Sequence, residues 1–121
     1  MKIRIKGNSV RFRLTKTEVE TFCRDGFYEE TTIFGRNTLI YALQAKAGTT
    51  ELEADFVDHK ITIYEPEQEL SAWANSDTVG FKNSVDWNDP TALSLLVEKD
   101  FTCLDNTIED QSDNYPNPKL L

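Results

Sequence analysis

Residues 2–6 (KIRIK) and 10–14 (VRFRL) alternate strictly between apolar and charged side chains. Successive side chains of a strand point to opposite faces, so this period of two marks strands with one apolar and one charged face. Gly7-Asn8-Ser9 lies between the two stretches and has the chemistry of a tight hairpin turn. A two-residue turn at Gly7-Asn8 sets Lys6 opposite Ser9, Ile5 opposite Val10, Arg4 opposite Arg11, Ile3 opposite Phe12 and Lys2 opposite Arg13. Ile3, Ile5, Val10, Phe12 and Leu14 then form the apolar face. Lys2, Arg4, Lys6, Arg11 and Arg13 form the other, with like charges directly opposed, which costs stability unless something compensates it.

Thr15 and Glu18 follow as a capping box, in which hydroxyl and carboxylate each accept from the other residue's backbone N–H. Val19, Phe22 and Cys23 share one face of the helix this opens, and the helix ends before Gly26. Strands are expected at 28–34 (YEETTIF) and 38–46 (TLIYALQAK), joined at Gly35-Arg36-Asn37. The same order then returns. Residues 51–57 (ELEADFV) and 60–64 (KITIY) alternate around Asp58-His59, and Pro66 suits the first turn of a second helix. Leu70, Trp73 and Ala74 repeat the helical face, and strands follow at 79–85 and 92–101. Asp89-Pro90-Thr91 also resembles a helix start, but the alternation of Leu95 and Val97 favours a strand.

Sliding the sequence against itself by 51 positions sets Ile5 on Phe56, Val10 on Ile61, Phe12 on Ile63, Val19 on Leu70 and Phe22 on Trp73. The expected fold is therefore α+β. Two ββαββ pseudo-repeats, about 1–50 and 51–104, form a curved antiparallel sheet or partly open barrel with two short helices. At 121 residues there is room for one core and no more. Residues 105–121 hold Asp105, Glu109, Asp110 and Asp113 before Tyr115-Pro116-Asn117-Pro118, and read as an extended acidic tail. The longest apolar runs fall far short of the roughly 20 residues that span a bilayer, and the basic N-terminus alternates as a strand does. A cytoplasmic location is the expectation.

Charge is unevenly spread. Residues 1–16 carry six cations and no acid, whereas the other seven cations share the rest of the chain with 21 carboxylates. The net charge of −8 argues against nucleic-acid and membrane surfaces as partners of the whole molecule. It leaves Lys2, Arg4, Lys6, Arg11 and Arg13 as a local anion-binding candidate, since forked guanidinium donors suit phosphate and carboxylate. The competing reading pairs these cations inside the fold or across a homodimer. Glu51, Glu53 and Asp55 occupy the corresponding stripe of the second hairpin, Glu29 and Glu30 lie on a neighbouring strand, and the tail offers more carboxylates.

Other candidates are weaker. His59 is the lone histidine and sits in a predicted turn, with no second imidazole to share a ligand. Cys23 and Cys103 match no zinc or redox spacing and read as two free thiols. Cys103, Asp105, Glu109, Asp110 and Asp113 lack the glycine and closing glutamate of a calcium loop. Neither a Gly-x-Ser-x-Gly elbow nor a glycine-rich phosphate loop is present, so no catalytic residue, metal or cofactor is assigned. Trp73 falls on the helical core face, while Trp87, between Asp86 and Asn88, is expected to be partly exposed.

Three stretches together carry a resemblance: 1–19 (MKIRIKGNSVRFRLTKTEV), 74–81 (ANSDTVGF) and 96–118 (LVEKDFTCLDNTIEDQSDNYPNP). The chain resembles a family of small bacterial proteins of about 120 residues whose function is unknown. This implies that the C-terminal segment is a regular part of the protein, and it brings no activity. The opening hairpin is also similar to the triphosphate-tunnel enzymes, whose strands grip polyphosphate with alternating Arg and Lys. Glu51-Leu52-Glu53 matches their alternating acidic motif, but the further basic strands are missing. By elimination the chain reads as a small cytoplasmic, non-enzymatic binding or protein-interaction domain. The alternative is binding of a phosphorylated small molecule or nucleotide by the basic hairpin, with hydrolysis assisted by Glu51 and Glu53.

Overall fold

The computed structural model describes residues 1–101 and 111–117. Among them the order ββαββ occurs twice. The first unit contains β1 (Lys2–Lys6), β2 (Ser9–Leu14), α1 (Lys16–Asp25), β3 (Phe27–Phe34) and β4 (Asn37–Lys46). The second contains β5 (Glu53–Val57), β6 (Lys60–Pro66), a 3-10 turn at Glu67–Glu69 running into α2 (Leu70–Trp73), β7 (Gly80–Lys82) and β8 (Ser94–Lys99). The fold is α+β, and the segment with the ambiguous Asp89-Pro90-Thr91 start is a strand.

The strands divide into two open four-stranded sheets. The first has the order β1-β2-β8-β7 and the second β3-β4-β6-β5. In place of the one expected curved antiparallel sheet or partly open barrel there are two open mixed sheets, because each hairpin pairs with a hairpin of the other unit. Their inner strands lie parallel, β2 beside β8 and β4 beside β6. Adding four to every strand number, and counting past eight back to one, turns one sheet order into the other. Matching contacts join the units, for Ser94 N–H donates to Asn8 O as Ile40 N–H donates to His59 O.

The core lies between the inner sheet faces and the helices. Phe12, Leu14, Leu95 and Val97 come from the first sheet, Leu43 and Ile63 from the second, and Val19, Phe22, Leu70 and Trp73 from the helices. Phe12 and Tyr41 join the sheets with ring centroids 5.8 Å apart, and Trp73 contacts both Phe22 and Phe81 edge-on.

The first hairpin has the register expected from its sequence, with Arg4 opposite Arg11 and Lys2 opposite Arg13. Gly7 adopts φ +54°, a conformation that glycine enters without strain. Helix α1 has its capping box, with Glu18 N–H donating to Thr15 Oγ1 and Thr15 N–H donating to Glu18 Oε1, and Gly26 closes it in the left-handed region. Helix α2 is shorter than its counterpart. Pro66 ends β6 and does not open the helix, and no side chain caps the 3-10 turn. Strand β7 stops at Lys82 because the Asn83 side chain takes over the pairing: Nδ2 donates to Leu93 O and Oδ1 accepts from Leu95 N–H.

Cys103, Asp105, Glu109 and Asp110 lie outside the described residues. The described part of the tail docks on the body. Asp113 accepts from the Thr17 hydroxyl at 2.8 Å, Lys16 N–H donates to Asp113 O, and Tyr115 bridges to Phe101. No helix among the described residues is long and apolar enough to cross a membrane.

Candidate functional site

Pairing register assembles the outer face of the first sheet row by row. One row runs Lys2, Arg13, Glu98, Gly80; the next Arg4, Arg11, Leu96, Lys82; a third Lys6, Ser9, Ser94. All five cations of the hairpin therefore lie on one surface, joined by Lys82, with Glu98 the one carboxylate in these rows.

The internal partners come from β8 and the residue after it. Arg13 Nε donates to Glu98 Oε1 at 2.8 Å, and Arg11 approaches the same oxygen at 3.7 Å. Lys2 Nζ lies 3.0 Å from Asp100 Oδ2, an ion pair by distance whose angle makes no hydrogen bond. Among the described residues Arg4 and Lys6 have no carboxylate partner within 4 Å. Together with Ser9 and Arg11 they line a hollow of about 150 Å³. Exposed cations in such a hollow keep their donors available to an incoming anion.

The acidic stripe expected to neutralise this face lies elsewhere. Glu53 receives Lys46 Nζ at 2.7 Å and Asp55 accepts from the Tyr64 hydroxyl at 2.8 Å, both on the second sheet. Glu29 faces Lys60 at 3.5 Å, and Glu51 accepts from Ser84 N–H. Glu51 and Glu53 thus serve different partners, and neither lines the Arg4 hollow. The sheets are open, so no tunnel encloses the cations.

Two further electrostatic features lie inside. Glu18 and Glu30 together hold the Met1 ammonium, and the Tyr28 hydroxyl donates to both carboxylates. Burial pushes the Glu18 carboxyl up, but the ammonium, Thr15 N–H and Tyr28 outweigh it and leave it below its usual value. Burial beside the same two carboxylates raises Tyr28. Glu65 is fully buried, neither of its oxygens has a hydrogen-bond partner, and burial reinforced by Glu69 pushes it up to about 8. The sequence carried a signal for Glu65, since Ile61, Ile63 and Glu65 alternate onto one face of β6.

His59 is exposed in its turn at φ +62°, beside Asp58 at φ +50°. Cys23 is a half-buried free thiol, raised by burial. Among the described residues no three His, Cys, Asp or Glu side chains gather as metal ligands. Trp73 is buried and Trp87 is 82% exposed.

These features define an α+β domain of two interlocked ββαββ units with one basic outer sheet face. Its sequence matches a family of unknown function, DUF7009, over residues 1–119, and the chain belongs to that family. No curated protein and no solved structure matches it.

Proposed function

We propose that the chain is a binding domain whose ligand is a small phosphorylated or multiply carboxylated anion, seated on the outer face of the first sheet. The observation that carries this reading is the hollow between Arg4, Lys6, Ser9 and Arg11, where two cations lack a carboxylate partner among the described residues. Like charges held opposite one another on β1 and β2 cost stability, and an anion between them removes that cost. A duplicated ββαββ unit accounts for the two interconvertible sheet orders, with the basic face acquired by one copy. In a melting experiment, millimolar tripolyphosphate is expected to raise Tm by several degrees, and chloride at matched ionic strength is not. Arg4→Gln combined with Lys6→Gln is expected to abolish the rise. An unchanged rise in the double variant removes this site from consideration.

A second reading is favoured by the far end of the second sheet. Ile33, Phe34, Phe56 and Val57 are each more than half exposed beside the Gly35-Arg36 and Asp58-His59 turns. Such a cluster suits a protein partner or a second copy of the chain. Light scattering that shows a monomer at both low and high salt counts against self-association.

A further inference from the structure

The basic hollow does not stand alone on its sheet. A second hollow of about 500 Å³ opens on the β7 side, lined by Lys82, Asn83, Ser84, Val85, Trp87 and Ser94. Ser94 is the register partner of Ser9, which lines the basic hollow, so the two hollows lie beside neighbouring strands of one sheet face. The sheet is four strands wide, which sets its outer strands about 14 Å apart. Arg4, Lys6 and Arg11 stand at one end of this track, two hydroxyls in the middle, and Lys82 with an indole at the other end.

The loop that carries the indole is tied down on both sides of it. Asn8 Nδ2 donates to Thr91 O and Ala92 O at 3.1 and 2.6 Å, and Asn83 bonds Leu93 and Leu95. Glu51 accepts from Ser84 N–H, and Asp89 accepts from both Thr91 N–H and its hydroxyl. Trp87 nonetheless remains 82% exposed. A broad aromatic surface lining a hollow, with cations farther along the same sheet face, matches a ligand with a flat aromatic group at one end and phosphate at the other. Asp86 and Asp89 lie at the indole end, so their charges stand apart from the phosphate end.

We infer that the ligand of this face is a nucleoside phosphate, with its phosphates on Arg4, Lys6 and Arg11, its sugar over Ser9 and Ser94, and its base stacked on Trp87. The inference rests on the anion-binding reading above and adds the ligand's aromatic half. Calorimetric titration of the full chain with ATP, tripolyphosphate and adenosine, in chelator at constant ionic strength, tests it. ATP is expected to bind about tenfold tighter than tripolyphosphate, the worth of one stacked base. Trp87→Ala is expected to remove that tenfold advantage while leaving tripolyphosphate affinity unchanged, and Trp87→Phe to restore part of it. Arg4→Gln is expected to weaken both phosphates. Equal affinities for ATP and tripolyphosphate, or indifference of ATP to Trp87→Ala, overturn the nucleoside inference and leave the anion reading standing. Binding of neither phosphate overturns both.

Discussion

The two sheets have the same topology and opposite surfaces. Positions 51 apart in sequence occupy equivalent places, so Lys2 and Arg4 of β1 correspond to Glu53 and Asp55 of β5, and Arg13 of β2 corresponds to Tyr64 of β6. On the outer face of the second sheet each acid has a local partner: Glu53 has Lys46, Asp55 has Tyr64 and Glu29 has Lys60. On the first, Glu98 serves two arginines while Arg4 and Lys6 face the hollow. The inner faces agree far better, with Phe12 matching Ile63 and Met1 matching Leu52, all buried. Packing constrains the inside, while the outer faces are free to differ, and the one that differs at a cost is the basic one.

One inner position breaks the agreement. Leu14 and Glu65 are equivalent, and both are fully buried. Below about pH 4.5 folded and unfolded chains both hold the Glu65 proton; above it the unfolded chain releases it, while the folded chain keeps it up to about 8. Stability is therefore lost as pH rises from about 4.5 to about 8, by about 5 kcal/mol in all. Glu65→Leu, which places the first sheet's residue type in the second, is expected to stabilise the fold by about 3 kcal/mol or more at pH 8 and by much less at pH 5. Urea titrations of both proteins at the two pH values measure this. A difference independent of pH means that Glu65 is charged in the folded state.

A backbone contact separates the edge strands. A Cβ placed on Gly80 of β7 would stand 2.1 Å from Val97 O and 2.7 Å from Glu98 Cα, both backbone atoms that cannot move aside. By pairing row the equivalent of Gly80 in β3 is Phe27, which lies beside Gln44 and Tyr64 as Gly80 lies beside Glu98 and Arg13, and which has room for a ring. Gly80→Ala is expected to cost about 3 kcal/mol, and Phe27→Ala less than about 1 kcal/mol. Denaturant midpoints rank the two, and a mild Gly80→Ala shows that β7 can lift from β8.

How far the sequence reveals this architecture depends on the distance between partners. The β1–β2 register, the α1 cap and the 51-residue correspondence are local properties, set by a two-residue turn, a Thr–Glu pair and strand alternation. The parallel pairs β2–β8 and β4–β6 leave no such mark, because no turn joins their strands. For the same reason the partners of Arg13 and Lys2 were not legible, since Glu98 and Asp100 arrive from 85 and 98 residues away. The basic face was legible as a stripe, but which of its cations stay open depends on β8. Trp87 could be read as exposed, yet its place beside Ser94 follows from the loop contacts with Asn8 and Asn83.

The helices make a third contrast. Glu18 closes the α1 capping box, holds the Met1 ammonium and receives Tyr28, whereas its equivalent Glu69 precedes α2 exposed and caps nothing. Glu18→Gln is expected to cost about 2 kcal/mol near neutral pH. Because the folded pKa lies below the usual value, that contribution is present above about pH 4.5 and is lost as pH falls, so variant and parent converge in acid. Glu69→Gln is expected to be neutral or slightly stabilising, as it removes a charge that repels Glu65. Thermal melts at pH 7 and pH 3 separate these outcomes, and a Glu18→Gln loss that persists at pH 3 would assign its role to packing.

The smallest expected stability effect bears most directly on function. Arg4→Asp gives β1 the residue found at the equivalent place in β5, replacing a repulsive Arg4–Arg11 pair with an attractive one. At an exposed cross-strand site the gain is about 0.5 kcal/mol, and salt reduces it. The same change places a carboxylate in the hollow where an anion is to sit, so tripolyphosphate affinity is expected to fall at least about tenfold. Higher stability together with lost binding is the pattern of a surface kept unfavourable for the sake of its ligand. Lower stability would instead show that Arg4 holds the fold together. Unchanged affinity would move the anion off the hairpin, leaving the opposed arginines without a role.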